Sequence, residues 1–363
     1  MEPSTAPRSG KFNDKVGVRL AAVATAVPPY ESDQREAEAF FVRHFSHRLK
    51  TRSLVLLRKF LAHPSIRRRR FAVDSPDCLV AESPDQKIQR FARWAVALSA
   101  RAAREALARA GLDVPEVTAL VVNTCTGYLC PGLSSYLLEE LGLPRNLRAY
   151  DLVGCGCGGA IPNLQAGADF LTAAGGGAAL CVSVEICSAT LQVDDDPGLL
   201  LSNALFADGA AAAVLWTRPA GRELVASGSL HQPEDREAIR YVHRRGQLYN
   251  QLARNLPQIV DRAVARTVLG VLETQGLTPA DVHHWALHGG GEKVITAVAR
   301  QLGLPEDRLL PTRQTLARFG NMSSPSVLFT LREILDNGLQ PGDWCLMASF
   351  GAGLSAHALL LRS

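Results

Sequence analysis

The sequence lacks the features that mark several broad classes of protein. No apolar stretch in its 363 residues reaches the roughly 18 residues of a bilayer-spanning helix. The polar N-terminal stretch has no apolar core of the kind found in secretory signals. The eight cysteines include no CxxC pair, which argues against a zinc site. We therefore expect a cytoplasmic protein with reduced thiols, no membrane association, and no bound cofactor or metal.

Strong net charge is also absent. The formal net charge is only +4, which argues against general nucleic-acid binding. Basic residues nevertheless concentrate in residues 43–70, which end in four consecutive arginines, Arg67 to Arg70. This run is either a solvated face or a clamp for phosphate groups, because guanidinium groups bind phosphate in a forked geometry.

Apolar runs of strand length alternate with amphipathic helical patterns along the chain. Continuous apolar runs are typical of parallel strands that are buried on both faces. We predict a disordered tail over residues 1–15, then an α/β fold in two similar halves, 16–217 and 222–363, with parallel or mixed sheets layered by helices. The predicted strands cover 16–27, 117–122, 178–184, 210–216, 224–225, 284–287, 344–348 and 355–361. The predicted helices cover 33–62, 88–110, 132–142, 257–274, 291–302 and 324–336.

A glycine-rich turn at residues 151–164 carries Cys155 and Cys157 between a predicted strand and a predicted helix. A thiol at a helix N-terminus has a lowered pKa, and glycines let backbone N–H groups approach a bound oxyanion. These are the requirements of an acyl-accepting nucleophile. A buried structural cysteine in a tight turn is the other interpretation, and the CxC spacing leaves a metal or redox role open.

Three further sites carry polar or small residues at the ends of predicted elements. His288 ends a strand before three glycines, where it is either a catalytic group or a satisfied strand-end histidine. Asn321 lies before a helix, where it either caps the helix or donates to a developing negative charge. The loop at 349–354 allows close backbone approach to a ligand or is simply a tight connection. The acidic run at 194–196 we interpret as a solvated loop and not a cation site.

The order Cys157, His288, Asn321 resembles that of the thiolase-like condensing enzymes. The stretch from Gly320 to Phe329, GNMSSPSVLF, is similar to the asparagine motif of type III polyketide synthases, the chalcone-synthase-like group. His288-Gly-Gly-Gly, Ala204 to Ala212 and Ser349 to Leu354 are similar to three other motifs of that group. The resemblance covers residues 16–363 and implies a thiolase-like αβαβα fold.

The resemblance implies a role for individual residues. Cys157 would be the nucleophile, since its spacing to the following helix fits the family better than that of Cys155, and His288 and Asn321 would complete the catalytic set. Phe206 falls on the family's gatekeeper phenylalanine. The other positions implied to line the cavity are Cys125, Cys130, Cys187, Thr190, Gly351, Ala352 and Gly353. The candidates for contact with the phosphates of CoA are Arg58, Lys59, Arg67 and Arg68.

The resemblance also implies an activity and partners. The enzyme would condense malonyl-CoA by decarboxylation onto an acyl starter on Cys157, iteratively, and cyclise the product. From the Arg- and Ala-rich composition and the lack of a plant-type starter pocket we expect an aliphatic starter and an alkylpyrone or alkylresorcinol product. Gly289 and Ala352 replace two family prolines, and Cys130 replaces a methionine that enters the partner's cavity in plant members. A homodimer is expected. A single-step ketosynthase or acyltransferase fed by acyl carrier protein, and a non-catalytic partner subunit, are the alternative functions.

Overall fold

The fold was analysed in a computed structural model that describes residues 8–12 and 16–363. The strands are β1 (Arg8–Lys11), β2 (Arg19–Ala26), β3 (Tyr30–Asp33), β4 (Arg68–Phe71), β5 (Val117–Asn123), β6 (Arg148–Leu152), β7 (Ala178–Ile186), β8 (Asp208–Trp216), β9 (Arg222–His231), β10 (Ile239–Arg244), β11 (Gln247–Leu252), β12 (His284–Leu287), β13 (Trp344–Gly351) and β14 (Ser355–Arg362). The α-helices are α1 (Gln34–Phe45), α2 (Thr51–Leu61), α3 (Cys78–Ala81), α4 (Pro84–Ala110), α5 (Leu133–Glu140), α6 (Ala160–Ala174), α7 (Pro197–Leu205), α8 (Leu256–Glu273), α9 (Glu292–Leu302), α10 (Leu310–Phe319) and α11 (Ser326–Asp336).

The long sheet contains ten strands and divides into two halves. Its order is β12-β13-β14-β9-β2-β8-β7-β5-β6, with β1 paired to β9. The two halves of the sheet join where Arg19 and Leu20 of β2 pair with β9. Strand β5 runs parallel to β6 and β7, and β12 runs parallel to β13, while the other pairs in the sheet are antiparallel. The predicted mixed sheets in two similar halves are confirmed.

The helices form three layers, and each half of the sheet lies between two of them. Helices α6 and α11 share one apolar core with residues of both halves, so they form a central layer. Helices α4 and α5 pack on the outer face of the first half, and α8 and α9 pack on that of the second half. The predicted αβαβα layering is therefore confirmed. No helix in the described residues combines the length and the apolarity needed to cross a bilayer.

Alanine-rich strands explain how the layers come close together. All nine residues of β8 and all nine of β7 are buried. Since side chains alternate across a strand, Ala210 and Ala212 contact one core while Ala211 and Ala213 contact the central layer. Small side chains on both faces of β8 let helices pack close to the sheet on each side. Such burial on both faces is typical of central strands in layered α/β proteins.

One predicted feature of the N-terminus is wrong. Arg8–Lys11 forms β1 and pairs in antiparallel register with Ala226 to Ser229 of β9, so the predicted disordered tail does not extend through these residues. The reason is that β9 offers a free edge to them, which no local pattern in the tail reveals. The rest of the predicted tail, 1–7 and 13–15, lies outside the described residues.

Candidate active site

Cys157 lies in a tight turn between β6 and α6. The turn, Gly156–Gly158, leads directly into the helix, and Gly156 has a φ of +55° that favours glycine. A Cβ on Gly156 would lie 2.8 Å from the backbone nitrogen of Ala352, and one on Gly351 would overlap the carbonyl oxygen of Cys155. The glycines on both segments therefore allow the nucleophile turn to pack against the loop after β13.

The Cys157 thiol is buried and accepts a hydrogen bond from Ser323. Its side chain is 6% exposed, and the hydroxyl of Ser323 donates to its Sγ at 3.2 Å. Burial raises the pKa of this thiol to about 12, although the Ser323 hydrogen bond acts in the opposite direction. The sequence predicted that the helix N-terminus would lower the pKa of this thiol. That prediction is wrong, because burial removes the water that would stabilise the thiolate. Cys155 lies in the same turn without a contact to Ser323 among the hydrogen bonds of the described residues.

Ser323 joins the thiol to the Asn321 amide. The backbone N–H of Ser323 donates to Oδ1 of Asn321 at 2.8 Å. Since that acceptor must be the amide oxygen, the Nδ2 group of Asn321 is the end that is left to donate. Ser323 has a φ of +59°, an uncommon conformation for a residue with a side chain. This conformation lets one residue contact both Cys157 and Asn321.

Asn321 is held from the other side by the segment that carries Phe206. Its backbone N–H donates to Leu205, and its carbonyl accepts from Ala207, both at 2.9 Å. The buried Arg69 donates from Nη1 to the carbonyl of Phe206 at 2.8 Å, and its stem fills the space beside Gly320. Arg69, which belongs to β4, therefore contacts both the segment that carries Phe206 and the segment that carries Asn321. The sequence analysis did not identify it as different from the other three arginines of the run.

His288 contacts the end of β13, next to the loop that packs against the Cys157 turn. It directly follows β12, and its ring packs edge-on against Phe350 with centroids 5.0 Å apart. Within the described residues neither ring nitrogen has a hydrogen-bond partner, although the side chain is buried. Burial lowers the pKa of the imidazole to about 4, so the ring is neutral near pH 7 and able to accept a proton. The structure thus brings His288 against Phe350, and the adjacent Gly351 packs against the Cys157 turn.

Glu185 is a polar centre that the sequence analysis missed. Its carboxylate is fully buried at the end of β7, and Oε2 accepts from the backbone N–H of Cys125 at 3.0 Å and from the hydroxyl of Thr126 at 2.8 Å. Oε1 accepts from Ser324 at 2.8 Å and lies 3.5 Å from the Ser323 hydroxyl. Burial raises the pKa of this carboxyl despite these bonds. The sequence did contain a signal for this site, because Glu185 is a single acidic residue that directly follows an uncharged predicted strand.

Most of the cavity residues named from the resemblance lie near this centre. Cys125 places its Sγ 3.5 Å from the Ser323 hydroxyl, and Thr190 donates to the carbonyl of Cys187 at 2.9 Å. Phe206 forms an isolated parallel bridge with Asn321. Gly351 is buried and Ala352 half-buried beside the nucleophile turn, whereas Gly353 is exposed. Cys130 is also exposed, on the loop before α5, so its own chain does not bury it.

The four basic candidates for CoA contact lie on two separate elements. Arg58 and Lys59 are in the last turn of α2, and Arg58 pairs with Glu38 at 3.1 Å. Arg67 and Arg68 are exposed at the start of β4, where Arg68 pairs with Glu31 at 2.9 Å. The run of four arginines is therefore not a uniform solvated face, because Arg69 between them is buried.

The acidic run at 194–196 serves a structural purpose. Asp195 accepts the backbone N–H of Lys50 at 2.9 Å, and Asp196 caps α7 by accepting from Leu199 at the same distance. No group of three or more potential metal ligands occurs among the described residues. The Asp196 cap was not foreseen, although Asp-Pro before an apolar run is a helix-start signal.

We expect Ser323→Ala to make Cys157 less reactive. Losing a hydrogen bond to a thiolate raises the thiol pKa by about one unit, so alkylation by iodoacetamide near pH 8 should slow roughly tenfold. In the unaltered protein the rate should still rise from pH 7 to pH 9, since the thiol pKa lies well above that range. The measurement is the labelling rate of Cys157 by peptide mass spectrometry.

Two variants control for other effects of this change. Ser323→Gly relieves the positive φ and should slow labelling as much as the alanine does. Ser324→Ala removes a hydroxyl that bonds to Glu185 and not to Cys157, and labelling should change little. Equal rates in Ser323→Ala and the unaltered protein would contradict the assigned hydrogen bond.

Family models match both halves of this architecture. The model of the C-terminal domain of chalcone and stilbene synthases matches residues 223–363. The model described as FAE1/Type III polyketide synthase-like protein matches residues 28–232, more than half of the chain. The chain belongs to the type III polyketide synthases. It is therefore an acyltransferase that uses acyl-CoA and malonyl-CoA.

Individual relatives match most of the length of this polyketide synthase. The 3,5-dihydroxyphenylacetyl-CoA synthase of Streptomyces toyocaensis is 32% identical over 95% of this chain and 90% of its own. The 1,3,6,8-tetrahydroxynaphthalene synthase of Streptomyces peucetius subsp. caesius is 30% identical over 99% and 97%. The α-pyrone synthesis polyketide synthase-like protein Pks18 of Mycobacterium tuberculosis strain H37Rv is 29% identical over 80% and 78%.

Solved structures agree with the fold. PKS-I of the brown alga Ectocarpus siliculosus has a TM-score of 0.89 at 27% identity and covers all of both chains. The 1,3,6,8-tetrahydroxynaphthalene synthase of Streptomyces coelicolor A3(2), a bacterial type III polyketide synthase, has a TM-score of 0.89 at 25% identity over 95% of this chain and 99% of its own.

Proposed function

We propose that this type III polyketide synthase loads an aliphatic acyl group onto Cys157, extends it with two or more malonyl units and cyclises it to an alkylpyrone or alkylresorcinol. The observation that carries the proposal is the Ser323 contact, which sets the thiol of Cys157 beside the Asn321 amide. One relative is named for α-pyrone synthesis, while two others are named for different aromatic products. These names do not agree on one product, and an alkylpyrone or alkylresorcinol is the product class that an aliphatic starter would give.

The first step is acyl transfer to the thiol. Neutral His288 takes the proton of Cys157 as the sulfur attacks the thioester carbonyl of acyl-CoA. The carbonyl carbon–sulfur bond of the acyl-CoA then breaks, and the CoA thiolate leaves with the proton from His288. The raised pKa of Cys157 and the lowered pKa of His288 keep both side chains neutral before the substrate binds, so that charge forms only during the reaction.

The second step joins decarboxylation to carbon–carbon bond formation. The carboxylate of malonyl-CoA leaves as CO2, and its bonding electrons form an enolate whose oxygen accepts from Nδ2 of Asn321 and from a ring N–H of His288. The enolate carbon attacks the carbonyl carbon of the Cys157 thioester, and the bond to sulfur breaks. The extended chain is then a CoA ester that can be loaded again.

We also propose a homodimer. Exposed apolar side chains cluster around the loop that carries Cys130 and the edge strand β6: Tyr128, Tyr136, Tyr150 and Val153. The loop packs on β6 tightly enough that a Cβ on Gly132 would collide with the carboxylate of Asp151. Such a patch on a sheet edge favours a second copy of the chain. Sedimentation at micromolar concentration tests this, and a Tyr150→Glu variant that remains as large as the unaltered protein would contradict it.

The basic candidates are proposed to bind the CoA phosphates. Replacing Arg58 and Lys59 with glutamate should raise the KM for malonyl-CoA and weaken its dependence on salt, since phosphate contacts are screened by salt. Arg67 and Arg68 form the second pair to be changed. If only one pair alters the KM, that pair faces the phosphates; if neither does, the assignment is wrong.

Product analysis tests the whole proposal. The purified protein is incubated with malonyl-CoA and acyl-CoA starters from two to sixteen carbons, and the products are identified by mass spectrometry. Products with two or more malonyl units and a closed ring are expected. A single β-keto condensation, or turnover only with carrier-protein thioesters, would instead establish a single-step ketosynthase.

A further inference from the structure

The C-terminal end of α7 is the point at which three distant segments of the chain meet. The last four carbonyl groups of a helix lack a regular helical partner, so each needs a donor from elsewhere. Helix α7 ends at Leu205, and the backbone of Phe206 is already extended, with a ψ of 150°. The donors that reach these last carbonyls therefore decide where Phe206 and its neighbours lie.

The last three carbonyls of α7 accept hydrogen bonds from three different elements. The donors are Nη1 of Arg69 to Asn203 at 2.8 Å, Nε2 of Gln34 to Ala204 at 3.2 Å, and the backbone N–H of Asn321 to Leu205 at 2.9 Å. The backbone of Asn321 is thus itself one of the caps of α7. A shift of this helix end would shift Asn321 with it.

A single guanidinium joins these caps. Nη1 of Arg69 also donates to the carbonyl of Phe206 at 2.8 Å, and its Nε donates to Oε1 of Gln34 at 3.1 Å. Arg69 therefore holds Asn203 and Phe206 directly and orients the Gln34 amide toward Ala204. A planar guanidinium presents its donors in a fixed fork, which the single nitrogen of a lysine cannot reproduce.

The segment that leads to Asn321 is packed against the same side chain. A Cβ on Gly320 would lie 2.8 Å from Cγ of Arg69 and 3.0 Å from the carbonyl oxygen of Leu205. On the other side, the carbonyl of Asn321 accepts from the backbone N–H of Ala207 at 2.9 Å. The backbone of Asn321 is therefore fixed by the residues that directly follow α7 and by Arg69.

Arg69 stays charged although it is buried. Burial lowers the pKa of its guanidinium to about 10, and the charge of Asp208 acts in the opposite direction. The group is therefore protonated near pH 7. Hydrogen bonds from a charged donor are shorter and stronger than those between neutral groups, so the caps that Arg69 supplies are strong ones.

We propose that Arg69 is a positioning residue for malonyl-CoA decarboxylation: by capping α7 it fixes the backbone of Asn321, and with it the Nδ2 group that faces the enolate oxygen. This inference rests on the proposed function, which gives Asn321 that role. Donors at an oxyanion are effective because they are in place before the charge forms. A displacement of about 1 Å can cost about 10²-fold in rate.

Replacing the guanidinium tests the proposal. Arg69→Met keeps much of the buried stem and removes every donor. We expect it to lower kcat for decarboxylation of malonyl-CoA by about 10–10²-fold and to change KM by less than about threefold, because the displaced group acts in the transition state. Arg69→Lys keeps the charge but not the fork, so its kcat should lie between those of Arg69→Met and the unaltered protein.

The matched control lies on the same strand. Side chains alternate across β4, so Arg70 lies on the face opposite to Arg69, where it pairs with Glu31. Arg70→Met removes an equal charge and should change kcat by less than about twofold, since an ion pair near the surface contributes little. An equal fall of kcat in Arg70→Met and Arg69→Met would overturn the proposal.

A double-mutant cycle separates positioning from a general loss of structure. If Arg69 acts through Asn321, adding Arg69→Met to Asn321→Ala should lower the decarboxylation rate by less than about twofold more, because the donor is already absent. A structural role would instead lower the rate of the double variant by the full factor seen in Arg69→Met alone. That result would overturn the proposal.

Hydrogen exchange tests the caps without the reaction. In Arg69→Met the amides of Phe206, Ala207 and Asn321 should exchange at least about tenfold faster, since hydrogen bonds from a charged donor no longer oppose local opening. Amides of the distant strand β13 should keep their rates. Unchanged exchange at Asn321 together with slow decarboxylation would show that Arg69 does not act through the caps.

A milder variant serves if Arg69→Met does not fold. Gln34→Met removes the cap on Ala204 and one acceptor of Arg69 while the guanidinium remains. It should move exchange and kcat in the same directions by about threefold, as expected for the loss of a neutral hydrogen bond. No change in either measurement would overturn the proposal.

The outcomes separate this inference from the proposed function. If Asn321→Ala slows decarboxylation and Arg69→Met does not, the inference is wrong and the function stands. If both variants slow decarboxylation but the products carry a single malonyl unit, the proposed function is wrong and Arg69 keeps its role.

Discussion

Cys157→Ala is expected to eliminate polyketide formation, to less than about one thousandth of the unaltered rate, because the growing chain is attached to this thiol. Decarboxylation of malonyl-CoA to acetyl-CoA should continue, since Asn321 and His288 act on the malonyl thioester without the thiol. The measurement is chromatography of both products in one reaction. Intact-protein mass spectrometry should also show that no acyl adduct forms with acyl-CoA.

The matched control is the neighbouring thiol. Cys155 lies in the same turn without the Ser323 contact, and Cys155→Ala should retain most of the activity. Thermal unfolding of both variants checks that the turn is intact. Polyketide release by Cys157→Ala together with its loss in Cys155→Ala would move the nucleophile to Cys155.

Asn321→Ala should lower malonyl-CoA decarboxylation by about 10²–10³-fold, the usual cost of removing one donor from an oxyanion site. The physical reason is that the Nδ2 group faces a charge that exists only as CO2 leaves. Alkylation of Cys157 should change much less, because the Ser323 hydroxyl still donates to the sulfur. The measurement is acetyl-CoA formation in single-turnover and steady-state experiments.

Asn321→Asp separates the lost donor from the lost volume. The carboxylate can still accept the backbone N–H of Ser323, but it cannot donate, and its charge opposes an enolate. It should therefore be at least as slow as the alanine variant. A decarboxylation rate in Asn321→Asp that matches the unaltered protein would remove Asn321 from the mechanism.

Elements with a strong local period were predictable. Residues 88–110 repeat apolar positions at helical spacing, and the observed helix, α4, runs from Pro84 to Ala110 and ends at Gly111, which has a φ of +61°. The hairpin of β10 and β11 was missed, although its two-residue Arg245-Gly246 turn, with both φ positive, is a hairpin signal. Its half-buried strands have too little apolar alternation to stand out.

Charge and burial at single positions were not predictable from local pattern. Four consecutive arginines look alike in sequence, yet only Arg69 is buried, because it alone faces the carbonyls of Asn203 and Phe206. The same holds for Glu185, whose partners come from a neighbouring strand and from the Asn321 motif. Such contacts join residues far apart in the chain, and no periodicity encodes them.

The sequence by itself determined which chemistry is available: a cysteine in a glycine-rich turn, a strand-end histidine, and the asparagine motif that includes Ser323. It also determined the two alternating halves, because buried strands and amphipathic helices have local signatures. Only the tertiary structure decided the state of these groups. Burial holds the Cys157 thiol and the His288 imidazole neutral, with pKa values of about 12 and about 4. Desolvation depends on every segment packed around a side chain, so it exists only once the layers have assembled.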